Sequence, residues 1–229
     1  MAVVREARPR TESEAVVERA KDFWGRFGKT ISIALGAVIL VVAGFLIYKN
    51  FVQGPKEKKA ADAIFKAEEY YAQDSLDKAL NGDCQYMGLE NVISQYGGTK
   101  VGERARYIAG AIYVKKGNFD KGINYLKEVN TDAAQVQARA YKLLGDAYAD
   151  KGNGKEALDY YKKAARHFEE DEAFASEALF LAAYLSDKVL NDKKGAVELY
   201  KEVKTKYRQT QWGFEAEKYL AVNGEYNVD

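Results

Sequence analysis

The sequence is poor in the residues that carry special chemistry. Its 229 residues include one cysteine, one histidine and two prolines. A single cysteine, Cys84, excludes an internal disulfide, and metal centres need clustered ligands that this sequence does not supply. A single histidine, His167, is far more often a surface residue than a base or a ligand. The sequence therefore predicts no catalytic residue, no metal and no cofactor, and hence a protein that is not an enzyme.

The chain also lacks an excess of one charge. Lysine and arginine number 35 and aspartate and glutamate 34, so the net charge is +1. A near-neutral chain gives no electrostatic reason to expect nucleic acid as a partner. Gly97, Gly98 and Thr99 form a glycine-rich turn, but no strand precedes it and no Gly-Lys-Ser/Thr follows. A phosphate-binding loop is therefore not expected there.

Helix-breaking proline is absent from most of the chain, because both prolines, Pro9 and Pro55, lie near its start. From Lys56 onward Leu, Ala, Lys, Glu and Tyr dominate, and Ile, Val and Thr form no alternating runs. This composition favours helices throughout.

One long hydrophobic run divides the chain. Residues 30–48, TISIALGAVILVVAGFLIY, form 19 residues without a charge. At about 1.5 Å per residue they span roughly 28 Å, which matches the hydrocarbon core of a bilayer. A buried core helix seldom stays apolar on every face, and a signal peptide has a shorter apolar region followed by a cleavage site. The run predicts a retained transmembrane anchor over 29–52, in contact with membrane lipid.

The segment before the anchor, 1–28, has two interpretations. Its apolar residues lie at helical spacing, which is typical of a short amphipathic helix at the membrane surface. They are Val16, Val17, Ala20, Phe23, Trp24 and Phe27. Alternatively, this segment simply extends the anchor helix, to Gly25 or Gly28. Basic residues flank both ends of the anchor almost equally, so charge bias does not predict its orientation.

Residues 53–102 are expected to form membrane-proximal helices. Gly54-Pro55 suits the first turn of a new helix. That helix carries one apolar stripe, made of Ala60, Ile64, Ala67 and Tyr71. Ala60–Gln73 and Leu89–Tyr96 are expected to form a degenerate first repeat, separated by the insertion LNGDCQYMG.

An internal repeat is the strongest pattern in the chain. Glu103–Asn130 aligns with Ala138–Ala165, which lies 35 residues further on. The identical pairs include Arg104/Arg139, Gly110/Gly145, Tyr113/Tyr148, Lys116/Lys151, Gly117/Gly152 and Tyr125/Tyr160. A period of this size is typical of stacked helix–turn–helix units.

Residue size explains the repeated positions. Gly145 and Ala157 are small, which lets two antiparallel helices approach closely, whereas Tyr148 and Tyr161 are large and fill the space between neighbouring pairs. Gly152-Asn153 supplies a tight turn, because both residues tolerate positive φ. The pattern resembles the tetratricopeptide repeat, in which each unit is a pair of helices. Its signature places in the second unit are Tyr141, Leu144, Gly145, Tyr148, Ala157, Tyr161 and Ala164.

A weaker third unit begins near Ser176. It keeps the pattern at Leu179, Ala182, Ala183, Ala196, Tyr200 and Val203. Gln211–Val222 is expected to form a helix that caps the open end. The repeats thus occupy 103–209, and 210–229 is a capping helix and tail. The predicted fold class is all-α: one N-terminal transmembrane helix followed by an α-solenoid of tetratricopeptide-like helix pairs.

Stacked helix pairs form a concave groove lined by the first helix of each unit. The predicted groove residues are Arg104, Tyr107, Ala111 and Val114 from the first unit, Arg139, Lys142, Asp146 and Asp150 from the second, and Glu177, Phe180, Tyr184 and Asp187 from the third. Aromatic side chains with both signs of charge suit an extended polypeptide. Alternatively, the tyrosines only pack the repeat. The tetratricopeptide clamp for terminal carboxylates has Lys and Asn where this chain has Tyr107 and Ala111, which argues against recognition of that type.

Three short stretches carry a further likeness, ALNGD at Ala79–Asp83, YGGTK at Tyr96–Lys100 and GDAYADKGN at Gly145–Asn153. With the order of anchor and repeats, they make the chain resemble the YfgM-like family of bacterial inner-membrane proteins. That family is described as an ancillary subunit of the SecYEG translocon. The resemblance implies a single-pass inner-membrane protein with a cytoplasmic N-terminus and periplasmic repeats. It also implies a chaperone-like or scaffolding role for newly exported polypeptides, and an incidental Cys84.

Two other functions fit the same sequence. One is an envelope scaffold for outer-membrane assembly or cell division, and the other is a peptide receptor whose repeats face the cytosol. The orientation of the anchor separates the receptor from the periplasmic functions, and association with the translocon separates secretion from scaffolding.

Overall fold

The computed structural model describes residues 12–225, so the beginning of the predicted 1–28 segment and the last four residues of the tail lie outside the described residues. The described residues form helices and loops, with one isolated bridge between Gly82 and Met87 and no strand. They group into two compact units that divide between Pro55 and Lys56. The prediction of an all-α fold is confirmed.

The first unit contains one long helix. α1 spans Glu12–Ile47, and a π-helical segment, Tyr48–Gln53, follows it. α1 passes through Gly25 and Gly28 without a break, so the anchor helix extends further towards the N-terminus than the second interpretation predicted. A window of 18 residues in the helical stretch that begins at Val16 has a mean hydropathy of 2.7, and none of it is buried. By length and composition this is the one candidate membrane span in the part of the chain that the structure describes.

Three helices form the N-terminal part of the second compact unit. They are α2 (Gly54–Ala72), which begins at the boundary between the units, α3 (Leu76–Asn81) and α4 (Leu89–Tyr96). The predicted insertion, residues 80–88, begins with the last two residues of α3 and ends just before α4. It is closed on itself by the Gly82–Met87 bridge, and Cys84 is exposed on it.

The predicted apolar stripe of α2 needs one correction. Ala60, Ile64 and Ala67 are buried as predicted, but the stripe continues to Tyr70 and not to Tyr71. The Tyr70 ring packs in the core, and its hydroxyl donates a hydrogen bond of 2.5 Å to Asp83 in the insertion. Core residues bury the ring, and the bond gives its hydroxyl a partner at the edge of the core, whereas Tyr71 stays exposed.

The repeats form three helix pairs and a final helix. The pairs are α5 (Lys100–Lys115) with α6 (Phe119–Lys127), α7 (Ala134–Asp150) with α8 (Gly154–His167), and α9 (Glu172–Lys188) with α10 (Lys193–Lys206). α11 spans Gln211–Val222, as predicted for the capping helix. All six residues predicted to carry the pattern of the weaker third unit are buried, so the third unit is confirmed.

Small and large residues pack against each other inside each pair. A Cβ atom on Gly145 of α7 would lie 2.6 Å from the ring of Tyr161 on α8. A Cβ atom on Gly110 of α5 would lie 2.6 Å from Leu126 on α6, and these two residues hold the equivalent positions in the first repeat. Tyr161 was expected only between neighbouring pairs. Instead its ring covers Gly145 within its own pair and also joins the core shared with α9 and α10.

Other contacts recur with the same period. Tyr113 stacks on Tyr125 with 5.6 Å between ring centroids, and Tyr148 stacks on Tyr160 with 5.5 Å. Lys116 forms an ion pair with Asp77, and its equivalent Lys151 forms one with Asp120 of the preceding pair. The same lysine therefore ties the first pair to α3 and the second pair to the first, in addition to the shared apolar core.

The predicted turn at Gly152-Asn153 is confirmed at the glycine. Gly152 has φ +79°, a conformation that a side chain would strain. Asn153 has φ −88° and is the residue immediately before α8. One positive φ is thus enough to reverse the chain, and the asparagine serves as the helix start.

Candidate functional site

The predicted groove residues of α5 differ in their exposure to solvent and in their contacts. Arg104 is exposed and forms an ion pair with Glu68 of α2. Tyr107 is half-buried between two parts of the core, and this burial raises the pKa of its hydroxyl. Ala111 and Val114 are also half-buried, and Val114 fills the space beside Gly122 of α6. Val114 is therefore largely a packing residue, whereas Arg104 and Tyr107 form surface.

Two of the predicted charges of α7, Lys142 and Asp146, are paired with each other. The ammonium of Lys142 lies 3.2 Å from Glu177 of α9 and 3.5 Å from Asp146. Asp146 also accepts a hydrogen bond of 2.8 Å from the hydroxyl of Tyr161. Burial raises the pKa of Tyr161, and the Asp146 charge raises it further, so this hydroxyl stays protonated.

Arg139 has a different neighbour. Its guanidinium lies over the ring of Phe174 at 5.9 Å from the centroid, and the side chain is exposed. The Arg104–Glu68 and Lys142–Glu177 pairs connect α2 to α5 and α7 to α9. The first helices of the successive units thus present one surface, which we call the groove face, formed by Glu68, Arg104, Tyr107, Arg139, Lys142 and Glu177.

Two predicted groove residues of α9 are corrected by the structure. Phe180 is only 6% exposed, because α11 covers it and its ring lies 4.8 Å from that of Trp212. Asp187 is buried at the end of α9, where its carboxylate pairs with Lys188 at 2.7 Å and with Lys193. Burial alone would raise the pKa of Asp187, but the two lysines outweigh it and hold the pKa below its usual value. Neither side chain is available to a ligand on the groove face.

Tyr184 remains accessible at the far end of α9. It is 41% exposed, and its ring meets Tyr219 of α11 edge-on at 5.9 Å. Asp150 is exposed at the end of α7. The accessible part of the predicted groove is therefore concentrated on α5 and α7 and reaches Tyr184 on α9.

Two cavities next to the groove face were not predicted from the sequence. The Arg104 cavity has a volume of about 220 Å³ and is lined by Lys100, Val101, Arg104, Thr131, Ala133 and Val136. The Arg139 cavity, of about 630 Å³, lies where α7, α9 and the start of α11 meet. Its lining includes Arg139, Asp171, Glu172, Phe174, Glu177 and Trp212. Each cavity thus contains one of the two equivalent arginines of the repeat.

A repeated capping motif positions the helices that border these cavities. Thr99 accepts a hydrogen bond of 3.0 Å from the N–H of Gly102, and its hydroxyl donates to the Tyr96 carbonyl at 2.6 Å. Thr210 makes the same two bonds at the start of α11, with Gly213 at 3.1 Å and Tyr207 at 2.9 Å. The spacing Tyr-x-x-Thr-x-x-Gly occurs at both places. That spacing is the sequence signal that would have located the start of α5, and it also marks the predicted start of α11.

A carboxylate from α2 completes the first of these helix starts. Glu57 accepts hydrogen bonds from the backbone N–H groups of Lys100 and Val101, at 3.0 and 2.9 Å. Together with Thr99 it satisfies three N–H groups that a helix start leaves without partners. Thr99 and Glu57 therefore both fix the start of α5, which forms one wall of the Arg104 cavity.

Elsewhere the described residues offer little for chemistry. Within residues 12–225 no group of three or more His, Cys, Asp or Glu side chains is placed to hold a metal ion. His167 meets the ring of Tyr141 edge-on at 5.4 Å. The accessible features near the groove face are therefore charged side chains, tyrosines and the two cavities, which suit binding.

Comparison with known families agrees with the fold. Residues 21–135, just over half of the chain, match the family described as tetratricopeptide repeat-like domain, and residues 177–210 match a second family described as tetratricopeptide repeat. No curated protein matches this chain. Repeats of this kind serve protein–protein interaction. The chain belongs to the tetratricopeptide repeat-like domain family.

Proposed function

We propose that this protein is a membrane-anchored receptor for polypeptides, which it holds on the groove face. The observation that carries the proposal is that face itself: three successive first helices present exposed arginines, a half-buried tyrosine and two open cavities. Extended polypeptides offer the carbonyl groups and side chains that such a surface contacts. The protein acts by binding and not by catalysis.

The proposal extends to a partner and a location. α1 is retained as the anchor in a bacterial inner membrane, with its N-terminus in the cytoplasm and the repeats in the periplasm. The protein serves as an accessory subunit of the SecYEG translocon, with a chaperone-like or scaffolding role for exported polypeptides. The likeness to the YfgM-like family supports this extension, as does the order of one apolar helix followed by repeats.

Association with the translocon is tested by purification from membranes. The tagged chain, extracted in a mild detergent, is expected to bring SecY with it. A second chain, in which residues 29–52 are replaced by an unrelated transmembrane helix, shows whether the anchor or the repeats make the contact. If SecY is absent from the material purified with the natural chain, the proposed partner is wrong and an envelope scaffold becomes the better proposal.

Location is tested separately with a protease. Protease added to intact spheroplasts is expected to digest the repeats, because in the proposed orientation they lie outside the inner membrane. A cytoplasmic protein in the same sample should stay intact, which controls for lysis. Repeats that survive until detergent is added would place them in the cytosol, as in the alternative of a cytosolic peptide receptor.

A further inference from the structure

We infer that the groove face distinguishes polypeptides by charge, taking an acidic residue beside the Arg104 cavity and a basic residue beside the Arg139 cavity. This rests on the proposed function, since it states which polypeptides the face prefers. The evidence for this preference is the charge of the residues that line the two cavities, in addition to the groove residues.

The two cavities occupy equivalent places in successive units. Arg104 and Arg139 are equivalent in the repeat, and each lies beside the start of the next unit's first helix. For Arg104 that start is marked by Ala133 at α7, and for Arg139 by Asp171 at α9. The surroundings of the two arginines differ in charge, although their positions in the fold correspond.

The Arg104 cavity is apolar with a positive rim. Val101, Ala133 and Val136 form its apolar wall, and Lys100 and Arg104 are its charged residues. Arg104 is already paired with Glu68. Lys100 is exposed, and no ion pair of its ammonium occurs among the residues that the structure describes. A carboxylate arriving at this rim would therefore meet an unpaired cation.

The Arg139 cavity has the opposite charge. Three carboxylates, those of Asp171, Glu172 and Glu177, line it against the one guanidinium of Arg139. Asp171 accepts from the N–H of Phe174 at 3.1 Å, and Glu177 pairs with Lys142. Glu172 is exposed, and between residues 12 and 225 it makes no ion pair. A cation arriving there would meet a carboxylate that is not already engaged in an ion pair.

The walls of the Arg139 cavity favour a lysine or arginine side chain. Phe174 and Trp212 supply aromatic surface next to the carboxylates. Lysine and arginine bury their aliphatic stems on such surface while their charged ends reach an acidic partner. An acidic side chain would make less of this contact with the aromatic surface, and it would also face carboxylates of like charge.

An extended polypeptide is the occupant that reaches both cavities. Packed helices lie about 8–10 Å apart, a distance that about three residues of extended chain cover. An acidic residue and a basic residue separated by that length would engage both rims at once. The complementary charges therefore select a polypeptide with a carboxylate and an ammonium or guanidinium group about three residues apart.

Five fluorescein-labelled peptides of one apolar-neutral sequence test this preference. They differ at two positions about three residues apart, which hold Asp and Lys (in both orders), Asp twice, Lys twice, or Asn and Gln. Fluorescence anisotropy with the whole chain in detergent micelles gives each affinity. The better Asp/Lys peptide is expected to bind about two- to fivefold more tightly than the Asn/Gln peptide, which is the range for charges at an exposed rim.

Glu172→Lys changes the expected ranking without touching the core. In this variant two carboxylates and two cations line the Arg139 cavity, so its preference for a basic residue should be lost. The Asp/Lys peptide should lose its advantage of about two- to fivefold and bind no more tightly than the Asp/Asp peptide. Glu170→Lys is the matched control: the side chain is exposed two residues away and does not line the cavity. That control should leave the natural ranking in place.

The outcomes separate the inference from the function on which it rests. An unchanged ranking in Glu172→Lys, or the same change in Glu170→Lys, overturns the inference. Equal binding of all five peptides to the natural chain also overturns it, while polypeptide binding itself stands. If no peptide binds, the proposed function and the inference fail together.

Discussion

Tyr161→Ala is expected to lower the free energy of unfolding by about 3–5 kcal/mol. The Tyr161 side chain is 5% exposed, covers Gly145 in its own pair and joins the core with α9 and α10. Its removal leaves a cavity that Gly145 cannot fill, because glycine has no side chain to move into it. The measurement is urea unfolding of the whole chain in detergent, followed by circular dichroism.

Tyr161→Phe is the control for this prediction. It keeps the ring over Gly145 and removes only the hydroxyl that donates to Asp146 at 2.8 Å. The expected loss is about 1–3 kcal/mol, the range for a hydrogen bond to a charged acceptor. If Tyr161→Ala is no worse than Tyr161→Phe, the ring is not what holds the second pair to the third.

Gly102→Ala should lower the free energy of unfolding by about 1–3 kcal/mol. The added Cβ would lie inside contact distance of the Tyr96 carbonyl oxygen and 2.7 Å from the Cα of Gly97. Both are backbone atoms of the capping turn, so no side-chain rotation can relieve the clash. The same unfolding experiment measures the loss. The variant should also weaken peptide binding, because Gly102 holds the helix start that borders the Arg104 cavity.

Gly98→Ala separates this clash from a general effect of adding a methyl group. Gly98 lies in the same turn, and a Cβ there would have no atom within 4 Å. Its stability should stay within about 0.5 kcal/mol of the natural chain, as for most surface substitutions. Equal losses for Gly98→Ala and Gly102→Ala would show that the turn tolerates no substitution, and that the close approach at Gly102 is not the cause.

The architecture was predictable from the sequence because it depends on local spacing. Glycine and tyrosine recur at fixed intervals, and that period alone predicts paired helices with Gly145 at their closest approach. The start of α11 was also predictable, since Gln211 follows a break in the helical pattern. Such features are determined by residues within one repeat, which a single sequence displays directly.

Accessibility was less predictable, because it depends on what later parts of the chain cover. Phe180 corresponds in the repeat to Tyr107 and Lys142, both of which reach the groove face. It is a core residue because Tyr200 of α10 and the aromatic residues of α11 pack against its ring. Tyr70 and Tyr71 are adjacent, but Tyr70 packs in the core, where its hydroxyl meets Asp83 of the insertion, and Tyr71 is exposed. The two cavities likewise arise between units, so no single repeat contains the information.

Because α11 covers α9, the two ends of the repeat array differ. Ion pairs carry the contact from one pair to the next through Lys116 and Lys151, and such a stack could in principle continue by adding further copies. Phe180, Trp212 and Tyr219 close it instead, since the surface that a further unit would need is already occupied. The repeat array therefore ends at α11. The position of a bound polypeptide along the array can be counted from that end.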